Sequence, residues 1–204
     1  MNNVPDLKNL PEKPYRPLAE LSRYAAAEGC VLLKNDGGIL PFGENDAFSL
    51  FGRCQIDYYK SGTGSGGMVN VDYVVNILDG ILENSKLKIN KELADLYKKY
   101  VAENPLERRY PWEAPENFTE MPLDDTILTR AREISDTAVI VLGRTAGEAG
   151  DTEALQGKWY LSPDEEEMLG KITGYFDKTV VLLNVGSIID MSWVEKYSIK
   201  CVMY

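Results

Sequence analysis

Apolar positions recur along this chain with two different periods, and the alternation between them predicts an α/β fold built on a mostly parallel sheet with helices on both faces. Residues 1 to 16 are proline-rich and polar and read as an arm or linker, with the folded domain running from 17 to 204. A helix is expected from about Leu18 to Glu28, then the apolar stretch Cys30 to Leu33, closed by a turn at Asp36-Gly37-Gly38. Ala47 to Phe51 reads as the first full strand, and Val71, Val74, Val75, Leu78, Ile81 and Leu82 fall at helical spacing. A further helix carries Leu93, Leu96, Tyr97, Tyr100 and Val101 on one face. Residues 103 to 122 are rich in Pro, Glu and aromatics without a period, as in an excursion loop that packs Tyr110 and Trp112 locally. From Asp124 onward the order is helix (Ile127, Leu128, Ala131, Ile134), strand 137 to 142, helix (Met168, Leu169, Ile172, Tyr175, Phe176), strand 179 to 183 and a last apolar segment, Ile199 to Tyr204.

The most informative stretch lies between the last two of these helices. Thr137 to Leu142 is an unbroken apolar and β-branched run, the mark of a parallel strand covered on both faces. In open α/β sheets, ligands bind at the loops leaving the carboxyl ends of such strands. The loop here carries Glu148, flanked by Gly147 and Gly150, and leads to Ser162-Pro163-Asp164-Glu165: an N-cap hydroxyl, a proline at the first helical position and a glutamate three residues past the cap. Glu148 is thereby placed at the functional rim. For Glu165, Glu166 and Glu167 a capping and helix-dipole role suffices.

Charge and composition narrow the chemistry. Among 204 residues there are 32 acidic and 22 basic ones, a net charge of -10, which argues against nucleic acid because binding a phosphate backbone requires clustered Lys and Arg. No stretch approaches the roughly 20 apolar residues of a membrane helix, and the first residues carry no signal-like run, so a cytoplasmic protein is expected. The chain has no histidine, and its three cysteines, Cys30, Cys54 and Cys201, stand at wide spacings that match no metal pattern; no metal or cofactor is implied, and each cysteine is expected to be a small buried hydrophobe. The final segment ends within what reads as a buried strand, as expected of a fragment of a longer polypeptide with an exposed strand edge.

A second candidate site is Lys60-Ser-Gly-Thr-Gly-Ser-Gly-Gly-Met-Val-Asn70, with G-x-G-x-x-G at Gly62, Gly64 and Gly67. A dinucleotide fingerprint leaves its strand directly so that a helix N-terminus meets the pyrophosphate. Here nine residues, Arg53 to Ser61, intervene after Gly52, which counts against nucleotide binding. The loop is either a plain connector or a place where backbone amides and Ser65 approach a polar ligand closely. Tyr58 and Tyr59 beside it stack on a sugar ring or anchor the loop in the core; the sequence leaves both open.

Several motifs occur together: Ala25-Ala-Ala-Glu-Gly-Cys-Val-Leu-Leu-Lys-Asn35 with Leu40-Pro41, Ser61-Gly-Thr-Gly-Ser-Gly-Gly67, Gly147-Glu-Ala-Gly-Asp151, Leu161-Ser-Pro-Asp-Glu-Glu-Glu167 and Val181-Leu-Leu-Asn-Val-Gly-Ser187. In this order, from about residue 17 to the end, they resemble family 3 of the glycoside hydrolases, in particular the α/β sandwich domain of its β-glucosidases. The resemblance implies a C-terminally incomplete sandwich and a retaining active site shared with a (β/α)8 barrel that supplies an aspartate nucleophile. It places the general acid/base at Glu148, with Ser65, Gly64 and Gly66 in a loop reaching a carbohydrate substrate and Asp151 in support. No barrel is present here. Because Met1 stands just before the sandwich, the chain resembles members with permuted order, whose barrel follows the sandwich; this piece alone is then expected to be inactive. Thr152 stands where some relatives have arginine, and a subgroup with a histidine acid/base is excluded for this chain.

The chemistry fits the residue types. A retaining glycosidase needs two carboxyl groups about 5 to 5.5 Å apart, one nucleophilic and one that first gives and then takes a proton. Partial burial and a neighbouring charge such as Asp151 would raise the pKa of the acid. Glu153 is the competing carboxylate, outside the glycine pair. The contrasting reading is a noncatalytic α/β module that binds a small ligand with the Gly62 to Gly67 loop; a strand running straight into Gly62 would favour it.

Overall fold

The computed structural model describes residues 16–69, 73–84, 86–110, 112–115, 118–148 and 152–204. The chain divides into two compact units, 1–32 and 33–204. Within the first, helix α1 spans Arg16–Gly29. Cys30 follows it and is exposed, contrary to expectation; its thiol donates to the Ala26 carbonyl at 3.4 Å as an extension of the helix end. Among the described residues no helix is long and apolar enough to cross a membrane.

The second unit is organised by a six-stranded sheet in the order β1-β6-β5-β4-β2-β3. Its strands are β1 (Leu32–Asn35), β2 (Ala47–Phe51), β3 (Lys88–Ile89), β4 (Thr137–Arg144), β5 (Lys178–Val185) and β6 (Cys201–Met203). The pairs β2–β3, β2–β4, β4–β5 and β5–β6 are all parallel. The central strands coincide with the β-branched runs, and β4 is buried along its whole length. β6 lies between β1 and β5, so the expected unpaired edge at the last strand is not there; β1 covers it.

Alternation along the strands separates two cores. Ala138, Ile140 and Leu142 of β4 face one side with Phe51, Val181 and Val202, where they meet α3 (Lys91–Glu103), α4 (Asp125–Ile134), α5 (Pro163–Tyr175) and the single turn α6 (Trp193–Lys196). Val139 and Val141 face the other side with Phe48, Leu50 and Val180, covered by the short helix α2 (Ile77–Glu83) and by Ile39, Leu40, Phe42, Tyr59 and Phe118. The long helices of this unit, α3, α4 and α5, thus crowd one face. α2 is shorter than the apolar spacing suggests because the Asn76 side chain accepts the Asp79 N–H at 2.8 Å and starts the helix there, leaving Val74 and Val75 half-exposed outside it; Val71 lies outside the described residues. The capping box of α5 forms as its sequence requires, Ser162 and Glu165 each bonding the other's backbone N–H.

Candidate active site

Two loops meet above the carboxyl ends of β2 and β4. The glycine-rich segment forms a 3-10 turn over Gly64–Met68, and Glu148 lies four residues beyond the end of β4. Thr63 and Gly147 form an isolated parallel bridge, and the Thr63 N–H donates to the Ala146 carbonyl at 2.8 Å. Gly64 donates to the Trp112 carbonyl at 2.9 Å, so the excursion loop joins the same junction. Tyr110 and Trp112 stack there with ring centroids 5.0 Å apart, as the aromatic content of that stretch predicts.

The Glu148 carboxylate is exposed and engaged. Its Oε2 accepts the Ser65 hydroxyl at 2.8 Å and the Ser65 backbone N–H at 3.0 Å. These two bonds, the hydroxyl first, hold its pKa below the usual carboxylate value, because donors aimed at one oxygen favour the anion. That reverses the raised pKa expected of an acid: within this chain Glu148 has neither the burial nor the described charged neighbour that would raise it. Gly64 is required by this contact. Its φ is +77°, and a Cβ there would stand 2.9 Å from Glu148 Cβ and 3.0 Å from Oε2. Gly147, at φ +153°, lies so close to the Thr63 backbone that any side chain would strike it; it is pinned by the bridge, not a free hinge. A Cβ at Gly66 would meet nothing within 4 Å, so this contact does not require glycine there. Asp151 and Gly150 lie outside the described residues. Glu153 forms an exposed ion pair with Lys158.

Sequence reasoning missed the supports of this rim. Asn184 of β5 accepts the Tyr59 N–H at 2.6 Å and donates to the Tyr59 carbonyl at 3.2 Å, anchoring the entry to the glycine loop. Tyr58 and Tyr59 are both half-buried, and Tyr59 stacks on Phe118 at 5.9 Å, so Tyr59 at least is an anchor. Arg144, the last residue of β4, is buried against Glu165 and also donates to the carbonyls of Lys158 and Tyr160. The adjacent cleft, about 590 Å³, is lined by Arg144, Thr145, Lys158, Glu165 and Ser187; a second, about 460 Å³, by Tyr58, Lys60, Arg108 and Trp112. Thr63 and Thr145 line both, whereas Ser65 and Glu148 stand outside them on the open rim. The only signal in the sequence for these supports was an Asn and an Arg inside otherwise apolar strand ends.

Residues 30–204 match the family model of the glycosyl hydrolase family 3 C-terminal domain. The chain belongs to glycosyl hydrolase family 3. A β-glucosidase of Ruminococcus albus is 49% identical over 179 residues, 87% of this chain and 19% of that protein. The solved β-glucosidase of Paenibacillus barengoltzii superposes with a TM-score of 0.88 at 46% identity, over 93% of this chain and 21% of its own. β-Glucosidase 3B of Thermotoga neapolitana, solved in complex with α-D-glucose, gives 0.84 at 31% identity, over 95% and 27%. This family 3 domain therefore spans about a fifth to a quarter of the relatives it matches.

Within the family 3 domain the nucleotide-type reading of the glycine loop has no structural basis. β2 ends at Phe51 and passes into a 3-10 turn, Arg53–Gln55, and among the described residues the next α-helix after Gly67 begins at Ile77. Among those residues no α-helix starts directly from the loop to receive a phosphate.

Proposed function

We propose that this family 3 domain supplies Glu148 as the general acid/base of a retaining β-glucosidase, at an active site completed by an aspartate nucleophile from a barrel domain of the full polypeptide. The observation that carries the reading is the placement of Glu148: an exposed carboxylate beyond the carboxyl end of β4, held by a second loop yet outside the two clefts beside it. A carboxylate in that position is accessible to a site formed against another domain. The relatives that match this chain are named β-glucosidases, which supports a β-glucoside as substrate. By this reading the chain alone does not turn over aryl β-glucosides, since the nucleophilic carboxylate that retention requires belongs to the barrel domain.

In the first half-reaction the nucleophile attacks the anomeric carbon, the glycosidic C–O bond breaks, and its electron pair stays with the leaving oxygen, which takes the proton of Glu148. In the second, Glu148 removes a proton from water as the water oxygen displaces the nucleophile. The test is Glu148→Ala in the full polypeptide. The first step should survive with good leaving groups and fail with poor ones, the glycosyl-enzyme should accumulate, and azide should rescue turnover. A loss independent of the leaving group, or near-normal activity, removes Glu148 from the mechanism and moves the assignment to Glu153.

A further inference from the structure

The contact between Glu148 and the glycine loop joins residues 83 positions apart, and its form is specific. Both donors come from one residue, Ser65, and both go to one oxygen, Oε2. The loop presenting them is fixed on two further sides, by Gly64 N–H to the Trp112 carbonyl and by Thr63 N–H to the Ala146 carbonyl. The absence of a Cβ at Gly64 lets the carboxylate approach.

We propose that Ser65 is the positioning residue of Glu148, gripping Oε2 through its hydroxyl and N–H so that Oε1 alone is left to exchange the proton with the glycosidic oxygen and then with water. This rests on the reading of Glu148 as acid/base and goes beyond it, because it gives Ser65 a role on the carboxylate instead of on the sugar. With one oxygen anchored, rotation about the Cγ–Cδ bond of Glu148 is restrained, and the same oxygen acts in both half-reactions. Microscopic reversibility makes this advantageous, since the departing aglycone oxygen and the incoming water oxygen occupy one place. The grip also favours the carboxylate form demanded by the second half-reaction. The acid form needed in the first is then favoured by what closes over the rim, because among the described residues the two Ser65 donors lower the pKa of this carboxyl and only desolvation raises it. Among the described residues the charged side chains of the neighbouring segments, Lys60, Glu113, Glu153 and Lys158, make no hydrogen bond or ion pair with it, and Glu153 and Lys158 pair with each other.

The test uses Ser65→Ala, which deletes the hydroxyl and keeps the N–H, and Ser65→Thr, which keeps both. Carbon-detected NMR of this chain, labelled at the glutamate side chains, follows the Glu148 carboxyl through its titration. The proposal expects the titration of Glu148 to move to higher pH in Ser65→Ala and to return in Ser65→Thr. In the full polypeptide the alkaline limb of kcat/KM should move in the same direction, which a merely structural loop residue would not cause. An unmoved Glu148 titration in a folded Ser65→Ala chain overturns the proposal. The acid/base reading itself fails by a different measurement, the leaving-group dependence of Glu148→Ala, so the two can fall separately.

Discussion

Arg144 and Glu165 meet through two hydrogen bonds of 2.6 Å, Nη1 to Oε1 and Nη2 to Oε2, with side-chain exposures of 7% and 3%. The pair ties the last residue of β4 to the first turn of α5, so both ends of the loop that carries Glu148 are fixed to each other. Glu165 caps its helix and neutralises the strand-end guanidinium with the same carboxylate.

Removing one partner leaves the other charge buried. Arg144→Met should destabilise the domain by about 3 to 5 kcal/mol, while replacing both residues by apolar ones should cost much less than the sum of the single changes. Urea unfolding of the two single variants and the double variant measures this; additive losses would show that the two side chains do not act as a pair.

Glu120 should make stability depend on pH. Its carboxyl is buried, Oε2 accepts the Arg53 N–H at 2.8 Å, and among the described residues Oε1 has no hydrogen-bond partner. Burial raises its pKa from 4.5 to about 8, assisted by Glu165 and Asp164 and opposed by the Arg53 backbone bond and guanidinium. The folded state thus holds the proton more tightly than the unfolded one. Stability from this group is complete below pH 4.5 and is lost as pH rises through 8. Glu120→Gln, which keeps an acceptor for the Arg53 N–H, should flatten that decline; unfolding curves at pH 5.5 and 9 with the same pH slope in both proteins would contradict it.

Asn184→Ala should loosen the entry to the glycine loop. It leaves the Tyr59 N–H and carbonyl without their partner, a cost of about 1 to 3 kcal/mol for a buried unpaired group. Hydrogen exchange should show the Tyr59 amide losing protection while amides in the middle of β4 keep theirs.

The three thiols should separate by reactivity. Cys30 is exposed, whereas Cys54 and Cys201 are buried, and burial raises the pKa of both. A soluble disulfide reagent at neutral pH should titrate one thiol quickly and the others only on unfolding. Two fast thiols would show that the sheet opens around Cys201.

The sequence by itself determined the elements whose causes are local. The apolar runs read at 47–51, 137–142 and 179–183 become β2, β4 and β5, the last two longer by a few residues, and Ser162 to Glu165 close the predicted capping box, because propensity, period and capping act over a few neighbouring residues. The motif order likewise pointed to family 3, and Glu148 to the rim, before any contact was known. What it did not determine are features made by partners far along the chain. The two-residue strand β3 exists because β2 pairs with it, α6 is a single turn held by the buried Trp193, and α2 begins at the Asn76 cap with Val74 and Val75 outside it. The grip of Ser65 on Glu148 spans 83 residues, the Asn184 clamp on Tyr59 spans 125, and the Arg144–Glu165 pair spans 21. Each depends on chain ends being brought together by burial of the sheet's two faces, and only afterwards can a hydrogen bond form; no local window of sequence contains both its donor and its acceptor.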